Sequence, residues 1–320
     1  MIAVAGAGAF GTSLAIALAA AGHEVTLWGR NGSTALAMQT TRQNATYLPD
    51  IPFPQCLRAT ADIRDLDDAA TVLLAIPTQN LRAFASAHRE ILQGKSCVLC
   101  CKGVEKETGL LPSQTLAEIL PDTPVAVLTG PGFAAEIARG LPTALTLAAT
   151  GDNAPALQAH LSTGTLRLYL SDDLIGAQLG GALKNVIAIA CGIAIGAGLG
   201  ESARAAVMTR GYAEMQRLAV DLGANPTTLA GLSGLGDLAL TCTSTQSRNF
   251  SLGLELGRGG GIALGTTFEG VATARATLTL AKRREIDMPL TRIVTAVLEN
   301  DLTIADAVTA LLSRPLKSET

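Results

Sequence analysis

Three glycines near the start of the chain have the spacing of a phosphate-binding turn. The motif Gly6-Ala7-Gly8-Ala9-Phe10-Gly11 directly follows the apolar run 1–5, and an apolar helical stretch, 12–21, and a strand-like run, 24–28, come next. In this context the first glycine permits a tight turn, the second lets a pyrophosphate approach the backbone, and the third lets helix and strand pack closely. The motif predicts a dinucleotide site at the positive end of the first helix. The alternative is a glycine-rich loop that only packs.

The residues after the second predicted strand bear on which dinucleotide binds. NAD sites place an acidic residue there, about 20 residues past the glycines, to hold the ribose 2′-hydroxyl. Here the sequence is Trp28-Gly29-Arg30-Asn31, without a carboxylate. The guanidinium of Arg30 could pair with a 2′-phosphate and lie flat on the adenine. We therefore expect NADP(H) to be preferred, with NAD(H) as the second option. The alternative is that Arg30 is a solvated surface residue.

A lysine interrupts the most apolar part of the chain. Residues 174–199 are nearly all apolar or glycine, broken by Gln178, Lys184 and Asn185. The longest unbroken piece, 186–199, is shorter than the roughly 18 residues of a membrane span, so we expect a buried helix and no span. Burial lowers the pKa of a lysine, which suits a general acid or base. Since no histidine has a companion at catalytic spacing, Lys184 is the first candidate for proton transfer; an ion-paired structural lysine is the alternative.

Two of the six cysteines have a spacing known from metal and redox sites. Cys97 and Cys100 form a C-x-x-C pattern, but they lie in the apolar run 96–101, which predicts a strand. Residues three apart on a strand point to opposite faces, so the two thiols cannot converge. We expect buried, reduced cysteines and no metal site.

The elements that must position these residues alternate in the first half of the chain. Further strand-like runs lie at 71–76, 96–101, 124–128, 144–148 and 166–170. Helical patterns separate them, which is typical of a doubly wound α/β sheet. Beyond residue 170 only helical patterns follow. The sequence predicts an N-terminal Rossmann-type dinucleotide-binding domain, 1–172, and a C-terminal all-helical substrate-binding domain, 173–320, that closes a cleft over the cofactor.

Charge and composition argue against a nucleic-acid partner. There are 24 Lys and Arg against 27 Asp and Glu, and aromatic residues make up 3% of the chain. A nucleic-acid binder needs positive charge and aromatic platforms for the bases. The first predicted strand begins at Met1, which leaves no room for a signal peptide, so we expect a cytoplasmic protein.

Eight segments form a pattern that extends far beyond the glycine motif. They are GAGAFGTSLA at 6–15, CKGVE at 101–105, TGPGFAAEIARGLPTA at 129–144, GGALKNVIAIACGI at 180–193, TRGYAEM at 209–215, GLSGLGDLALTCTS at 231–244, SRN at 247–249 and FEGVATA at 268–274. Together, over nearly the whole chain, they resemble the bacterial NAD(P)-dependent glycerol-3-phosphate dehydrogenases. The resemblance implies interconversion of dihydroxyacetone phosphate and sn-glycerol 3-phosphate for phospholipid synthesis, by a homodimer.

The resemblance also implies roles for individual residues. Lys184 corresponds to the proton donor or acceptor, and Asp237 to a substrate contact that could orient it. The implied substrate contacts are Lys102, Gly130, Gly132, Lys184, Asp237, Ser247, Arg248 and Asn249. The implied cofactor contacts, with the glycine motif included, are Gly6, Gly8, Ala9, Phe10, Gly11, Arg30, Lys102, Ala134, Arg248, Thr267 and Glu269. The triplet at 247–249 offers a hydroxyl, a guanidinium and an amide to a small phosphate dianion, although taken alone its serine favours a helix cap.

Four positions depart from the family pattern. Gly132 stands where the family commonly has serine or threonine, Ile195 replaces an acidic residue, Ser202 replaces a frequent asparagine, and Thr267 replaces an aliphatic residue near the cofactor. They bear on affinity more than on the type of reaction.

Two other functions stay open: a related dehydrogenase acting on a 3-hydroxy acid or ketopantoate, and a non-catalytic nucleotide-sensing protein.

Overall fold

The computed structural model describes residues 1–261 and 268–312 of the chain. The strands are β1 (Ile2–Ala5), β2 (Val25–Trp28), β3 (Leu57–Thr60), β4 (Thr71–Leu74), β5 (Ser96–Leu99), β6 (Val125–Thr129), β7 (Thr143–Ala149) and β8 (Leu166–Ser171). The helices are α1 (Ala9–Ala20), α2 (Gly32–Thr41), α3 (Thr78–Ala87), α4 (Arg89–Leu92), α5 (Pro112–Ile119), α6 (Ala134–Ala138), α7 (Ala154–Leu161), α8 (Leu174–Gly196), α9 (Gly200–Asp221), α10 (Pro226–Ala230), α11 (Asp237–Cys242), α12 (Arg248–Gly257), α13 (Glu269–Arg283), α14 (Pro289–Leu298) and α15 (Ile304–Leu312). The chain also forms a 3-10 turn at Ile63–Leu66 and a π-helical turn at Leu232–Gly236.

The strands form one sheet in the order β3-β2-β1-β4-β5-β6-β7-β8. Neighbouring strands are parallel except β6 and β7, which run antiparallel with Thr129 opposite Thr146. The chain order reverses between β1 and β4, and in such sheets the carboxyl ends of the strands at this point form the ligand crevice. The predicted fold class, a doubly wound α/β sheet followed by a helical region, is confirmed, with one reversed strand pair that the pattern did not reveal.

Alternate side chains of the sheet build two separate cores. On β1, Ile2 packs in the core on one face and Ala3 in the core on the other. The same alternation sends Cys100 to the first core and Cys97 to the second, both as free thiols. Burial raises the pKa of both thiols, so neither is a ready nucleophile. The prediction that these two cysteines cannot converge is confirmed.

Helix α8 is the axis of the helical region. Its residues from Gly176 to Ala194 are buried, with Leu183 in one apolar core and Val186 in another. Within residues 1–261 and 268–312 it is the one helix long and apolar enough to cross a bilayer, and 89% of its most apolar window is buried inside the protein. We therefore describe α8 as a core helix, packed on both sides by protein.

Glycines let other segments pack directly on the backbone of α8. A Cβ placed on Gly192 would lie 2.1 Å from the main-chain oxygen of Phe250 in α12. One placed on Gly180 would lie 2.3 Å from the main-chain oxygen of Ser233 in the π-helical turn. Since real Cβ atoms do not approach so closely, both contacts require glycine. This glycine seam, Gly180 and Gly192, lets α8 pack closely against the π-helical turn before Asp237 and against α12.

Candidate active site

The glycine motif joins β1 to α1 through a turn that needs two of its glycines for packing. Gly6 has a φ of +121°, and a Cβ on it would lie 2.3 Å from the oxygen of Ala75. A Cβ on Gly11 would lie 2.0 Å from the oxygen of Gly6. These two positions therefore set the shape of the turn before any ligand is considered.

Gly8 has a different role in the same turn. Apart from its immediate neighbours along the chain, no protein atom among the described residues lies within 4 Å of the place where its Cβ would be, and its φ of −76° suits any residue. It is the N-cap of α1, a helix that has neither a side-chain cap nor an acidic residue in its first turn within the described chain. The first N–H groups of a helix have no intrahelical partner and attract an anion. Open space over these donors is what a pyrophosphate needs, so this turn fits a dinucleotide.

Three charged residues from distant parts of the chain meet in a cluster. The Nζ of Lys102 donates to Oδ2 of Asp237 at 2.8 Å, and the Nζ of Lys184 donates to Oδ1 of the same carboxylate. Their side chains are 13%, 10% and 1% exposed for Lys102, Lys184 and Asp237. Lys102 follows β5, Lys184 lies in the middle of α8, and Asp237 begins α11. One buried carboxylate therefore holds two ammonium groups, which we call the lysine–aspartate cluster.

The lysine–aspartate cluster is next to the glycine turn. The Nζ of Lys102 lies 5.4 Å from the centre of the Phe10 ring, which belongs to the GxGxxG motif. This is the range in which a cation is attracted to an aromatic face. The structure thus brings Phe10, Lys102, Lys184 and Asp237 together.

The surroundings of Lys184 change its acidity. Burial lowers the pKa of Lys184 from 10.5 to about 8; the nearby charge of Lys102 acts in the same direction, and Asp237 opposes both. A lysine with such a pKa can exist in either protonation state near neutral pH. The geometry and the acidity together suit a group that gives and takes a proton.

The triplet at 247–249 lies at the start of α12, with a different task for each residue. Ser247 is buried and caps the helix, because its Oγ accepts from the N–H of Phe250 at 3.2 Å. Asn249 fastens α12 to α13, because its Oδ1 accepts from the N–H of Gly270 at 3.2 Å. Arg248 is exposed. The serine therefore plays the capping role, and the arginine is the charged, accessible member of the triplet.

Glu269 is a partly buried acid among cations. It is the first residue of α13, and burial raises its pKa while the positive charges of Arg248, Lys102 and Lys184 act in the opposite direction. These interactions place Glu269 in the same cleft as the lysine–aspartate cluster. The neighbouring predicted contact, Thr267, lies outside the described residues.

The remaining predicted residues lie on loops that follow strands. Gly130 follows β6 with a φ of +139°, and Ala134 begins α6. A Cβ on Gly132 would lie 3.0 Å from Cδ1 of Ile137 and 3.1 Å from Cγ2 of Thr143. A serine or threonine at this position would therefore require these two side chains to shift slightly.

Arg30 and Ala9 stand at the two helix starts of the first βαβ unit. Arg30 is exposed just beyond β2, and the following Asn31 caps α2 by accepting from the N–H of Thr34 at 2.9 Å. Ala9 is the first residue of α1.

Two threonines of the site were missed by the sequence reasoning. Thr241 Oγ1 donates to Oδ1 of Asp237 at 3.4 Å, and its position four residues further along α11 is a helical spacing that could have shown it. Thr129 Oγ1 is buried with no hydrogen-bond partner in the described part of the chain. A Cβ on Gly181 would lie 2.5 Å from that oxygen. Its only sequence signal is its place directly before Gly130.

A brace from α3 holds the loop that carries Lys102. Arg82 donates through Nε and Nη2 to the two carboxylate oxygens of Glu105, both at 2.9 Å. Gln79 donates to the main-chain oxygen of Val104 at 2.8 Å. Because this loop begins beside Lys102, the brace limits where that lysine can lie.

Comparison with known proteins identifies the family. The family model described as the N-terminus of NAD-dependent glycerol-3-phosphate dehydrogenase matches residues 1–154, and the corresponding C-terminal model matches residues 173–309. The chain belongs to the NAD-dependent glycerol-3-phosphate dehydrogenase family. It is therefore an oxidoreductase, and the predicted family is confirmed.

Relatives match this family member over their whole length. The NAD(P)+ glycerol-3-phosphate dehydrogenase of Ruegeria sp. (strain TM1040) is 57% identical, with 99% of each chain covered. That of Cereibacter sphaeroides is 56% identical, with 100% of each chain covered. The crystal structure of glycerol-3-phosphate dehydrogenase from Coxiella burnetii superposes with a TM-score of 0.94 at 39% identity, over 98% of both chains.

Proposed function

We propose that this chain interconverts dihydroxyacetone phosphate and sn-glycerol 3-phosphate with a nicotinamide dinucleotide. The observation that carries the proposal is the pair of lysines on the buried Asp237, next to a glycine turn that is open to an anion. In this proposal residues 1–172 bind the dinucleotide and residues 173–320 bind the substrate. The protein acts as a cytoplasmic homodimer that supplies phospholipid synthesis.

Proton transfer is assigned to Lys184. A bound reduced nicotinamide supplies the hydride that reaches C2 of the ketone. As negative charge grows on the ketone oxygen, the ammonium of Lys184 donates its proton to that oxygen. In the opposite direction the neutral amine of Lys184 accepts the hydroxyl proton. Lys102 adds positive charge that stabilises the developing anion, and Asp237 holds both lysines in place.

Phosphate recognition is assigned to Arg248 and the start of α12. The exposed guanidinium can form a bidentate pair with a phosphate, and the helix start adds N–H groups of the favourable polarity. The loop at Gly130 and Gly132 closes the other side in this proposal. Such a site distinguishes a phosphorylated ketone from its unphosphorylated form.

The direct experiment is an absorbance assay at the reduced nicotinamide band. Dihydroxyacetone phosphate is the expected substrate, and dihydroxyacetone and ketopantoate serve as comparison substrates. Of these three compounds, we expect only dihydroxyacetone phosphate to give rapid oxidation of the reduced cofactor. Equal turnover of dihydroxyacetone would contradict the phosphate assignment, and turnover of ketopantoate alone would contradict the proposed function.

We further propose that NADP(H) is preferred over NAD(H). Arg30 is exposed after β2, and the segment 28–31 contains no carboxylate. A charge-assisted contact to a 2′-phosphate is worth about 1.5–3 kcal/mol, or roughly ten- to a hundredfold in affinity. Arg30→Glu should therefore remove the preference, as measured by the dissociation constants of both cofactors. Arg89→Glu, at another exposed arginine, controls for net charge; equal loss in both variants would contradict a local contact.

A further inference from the structure

Asn44 contacts the glycine turn from a segment that belongs to none of the sequence motifs described above. It lies between α2 and β3 and is 2% exposed. Its Nδ2 donates to the main-chain oxygen of Ala7 at 3.0 Å and to Oγ1 of Thr12 at 2.8 Å. The oxygen of Ala7 can only accept, so the amide nitrogen must face the turn. Ala7 precedes Gly8 and Thr12 follows Gly11, so the two hydrogen bonds bracket the peptide groups assigned to the pyrophosphate.

The segment that carries Asn44 is held by its own contacts. The main-chain oxygen of Asn44 accepts from the N–H groups of Tyr47 and Leu48, at 3.2 and 2.8 Å. Leu48 and Phe53 are buried in the core on one face of the sheet. The position of the amide is therefore set by the protein core and does not depend on a bound ligand.

The turn gains from an outside anchor because Gly8, unlike Gly6 and Gly11, has no packing contact that restricts its backbone. Residues 6–11 include three glycines, and each has more accessible backbone conformations than other residues. A binding site that must first order its backbone loses affinity, whereas one already in shape does not. Two hydrogen bonds from one rigid amide, placed at both ends of the turn, supply that order.

We propose that Asn44 is a positioning residue that holds the phosphate-binding turn in its ligand-ready shape. The proposal rests on the dinucleotide chemistry proposed above for this turn. It assigns to the connection between α2 and β3 a direct effect on cofactor affinity, although Asn44 itself lies behind the turn and not in the open space over Gly8.

A matched control separates positioning from general stability. Gln39 is on α2, shortly before this connection, and its Oε1 accepts from the N–H of Ala59 on β3 at 2.8 Å. Gln39→Ala thus removes a side-chain hydrogen bond to the backbone without touching the glycine turn. Thr12 offers a second pair, since Thr12→Ser keeps the hydroxyl that Asn44 contacts and Thr12→Val removes it at similar volume.

The experiment measures the dissociation constants of NADPH and NADH, the melting temperature, and kcat at saturating cofactor. Asn44→Ala should raise both dissociation constants about tenfold and leave kcat within about twofold, since one buried, doubly bonded amide is lost and no group of the proton-transfer cluster is changed. Asn44→Asp should bind cofactor more weakly still, because its charge faces the Ala7 oxygen and the anion. The dissociation constants of Gln39→Ala and Thr12→Ser should stay within about twofold of those of wild type. Thr12→Val should bind both cofactors more weakly than Thr12→Ser.

The outcomes distinguish this inference from the proposed function. Wild-type affinity in a folded Asn44→Ala variant, or an equal loss in Gln39→Ala, would overturn the positioning role alone. If Asn44→Ala does not fold, equal dissociation constants for Thr12→Val and Thr12→Ser would overturn it. A wild-type protein that binds neither cofactor would overturn the proposed function, and the inference with it.

Discussion

The two ends of the cleft are built in opposite ways. The glycine turn is six consecutive residues whose shape follows from contacts within and just beside it, such as that between Gly11 and the oxygen of Gly6. The lysine–aspartate cluster joins residues 53 and 135 positions apart, and it buries three charged groups. The first depends on local sterics, and the second depends on the packing of the whole helical region. Changes at the two ends should therefore affect different measurable quantities.

The largest expected effect separates chemistry from cofactor binding. Lys184→Met keeps the apolar stem and removes the ammonium, so turnover should fall at least about a hundredfold, the size of a lost general acid–base. The dissociation constant for NADPH should stay near that of wild type, because the glycine turn is unchanged. Steady-state kinetics and fluorescence titration measure the two quantities.

Lys95 gives a matched lysine for this test. Its Nζ donates to the main-chain oxygens of Leu66 and Ala69 at 3.2 and 3.0 Å, in the N-terminal region. Lys95→Met should change stability more than turnover. Comparable turnover loss in both variants, or near-normal turnover in Lys184→Met, would remove Lys184 from the mechanism.

The next variant should show the opposite result, a loss of cofactor affinity at the glycine turn. Gly8→Ala puts a methyl group into space that no described protein atom occupies, so the melting temperature should not change. The methyl group meets the bound pyrophosphate instead, and we expect NADPH affinity to fall about tenfold or more from lost backbone hydrogen bonds. A titration and a thermal melt on the same sample check both parts.

Gly180→Ala is the contrasting glycine variant. Its Cβ would lie 2.3 Å from the oxygen of Ser233, so the π-helical turn before Asp237 must shift. Overpacking of this kind costs about 1–3 kcal/mol, so stability and turnover should fall while cofactor affinity stays. If Gly8→Ala lost stability and Gly180→Ala lost affinity, the division between the two ends would be wrong.

The pH dependence of turnover should come from the cluster alone. Lys184 must be protonated to donate, so ketone reduction should slow as pH rises through its pKa of about 8, by up to about tenfold per unit. Alcohol oxidation needs the neutral amine and should rise over the same range. Asp237 raises this pKa, so Asp237→Asn should move the midpoint to lower pH. A midpoint that Asp237→Asn leaves unchanged would assign the titration to another group.

The smallest effect tests the brace behind Lys102. The hydrogen bond from Arg82 lowers the pKa of Glu105 below its ordinary value, so the ionised pair stabilises the folded state above pH 4.5 and less as pH falls through the folded-state pKa. Glu105→Gln should reduce the free energy of unfolding by about 1 kcal/mol at pH 7, since Arg82 is partly exposed. In urea denaturation, the difference in free energy of unfolding between wild type and Glu105→Gln should be smaller at pH 4 than at pH 7. Glu118→Gln, at the exposed second partner of Arg82, should change less.

Local features of both ends were predictable from the sequence. The run from β1 through the turn into α1 needed only glycine spacing and apolar periodicity. The capping role of Ser247 followed from its place before a helical pattern, and the opposite faces of Cys97 and Cys100 followed from strand alternation. Each of these features appears as a pattern within a few residues, which the sequence displays directly.

Long-range features and weak patterns were not predictable. β3 alternates buried and less buried residues but is only four residues long, and α2 buries only Ala35 and Met38, so both patterns are too short to stand out in the sequence. The antiparallel pairing of β6 with β7 and the position of Asn44 depend on how separate segments meet. The approach of Lys102 to Asp237 also needed tertiary structure; only the family resemblance indicated that they belong to one site.

The glycine seam along α8 has a consequence for how this protein fails when heated. Close backbone packing makes α8 the segment whose amide hydrogens should exchange most slowly with solvent, at a rate set by global opening. Lys184 lies on this segment, between Gly180 and Gly192. Heat should therefore abolish proton transfer and tertiary structure in a single step, leaving no folded but inactive form.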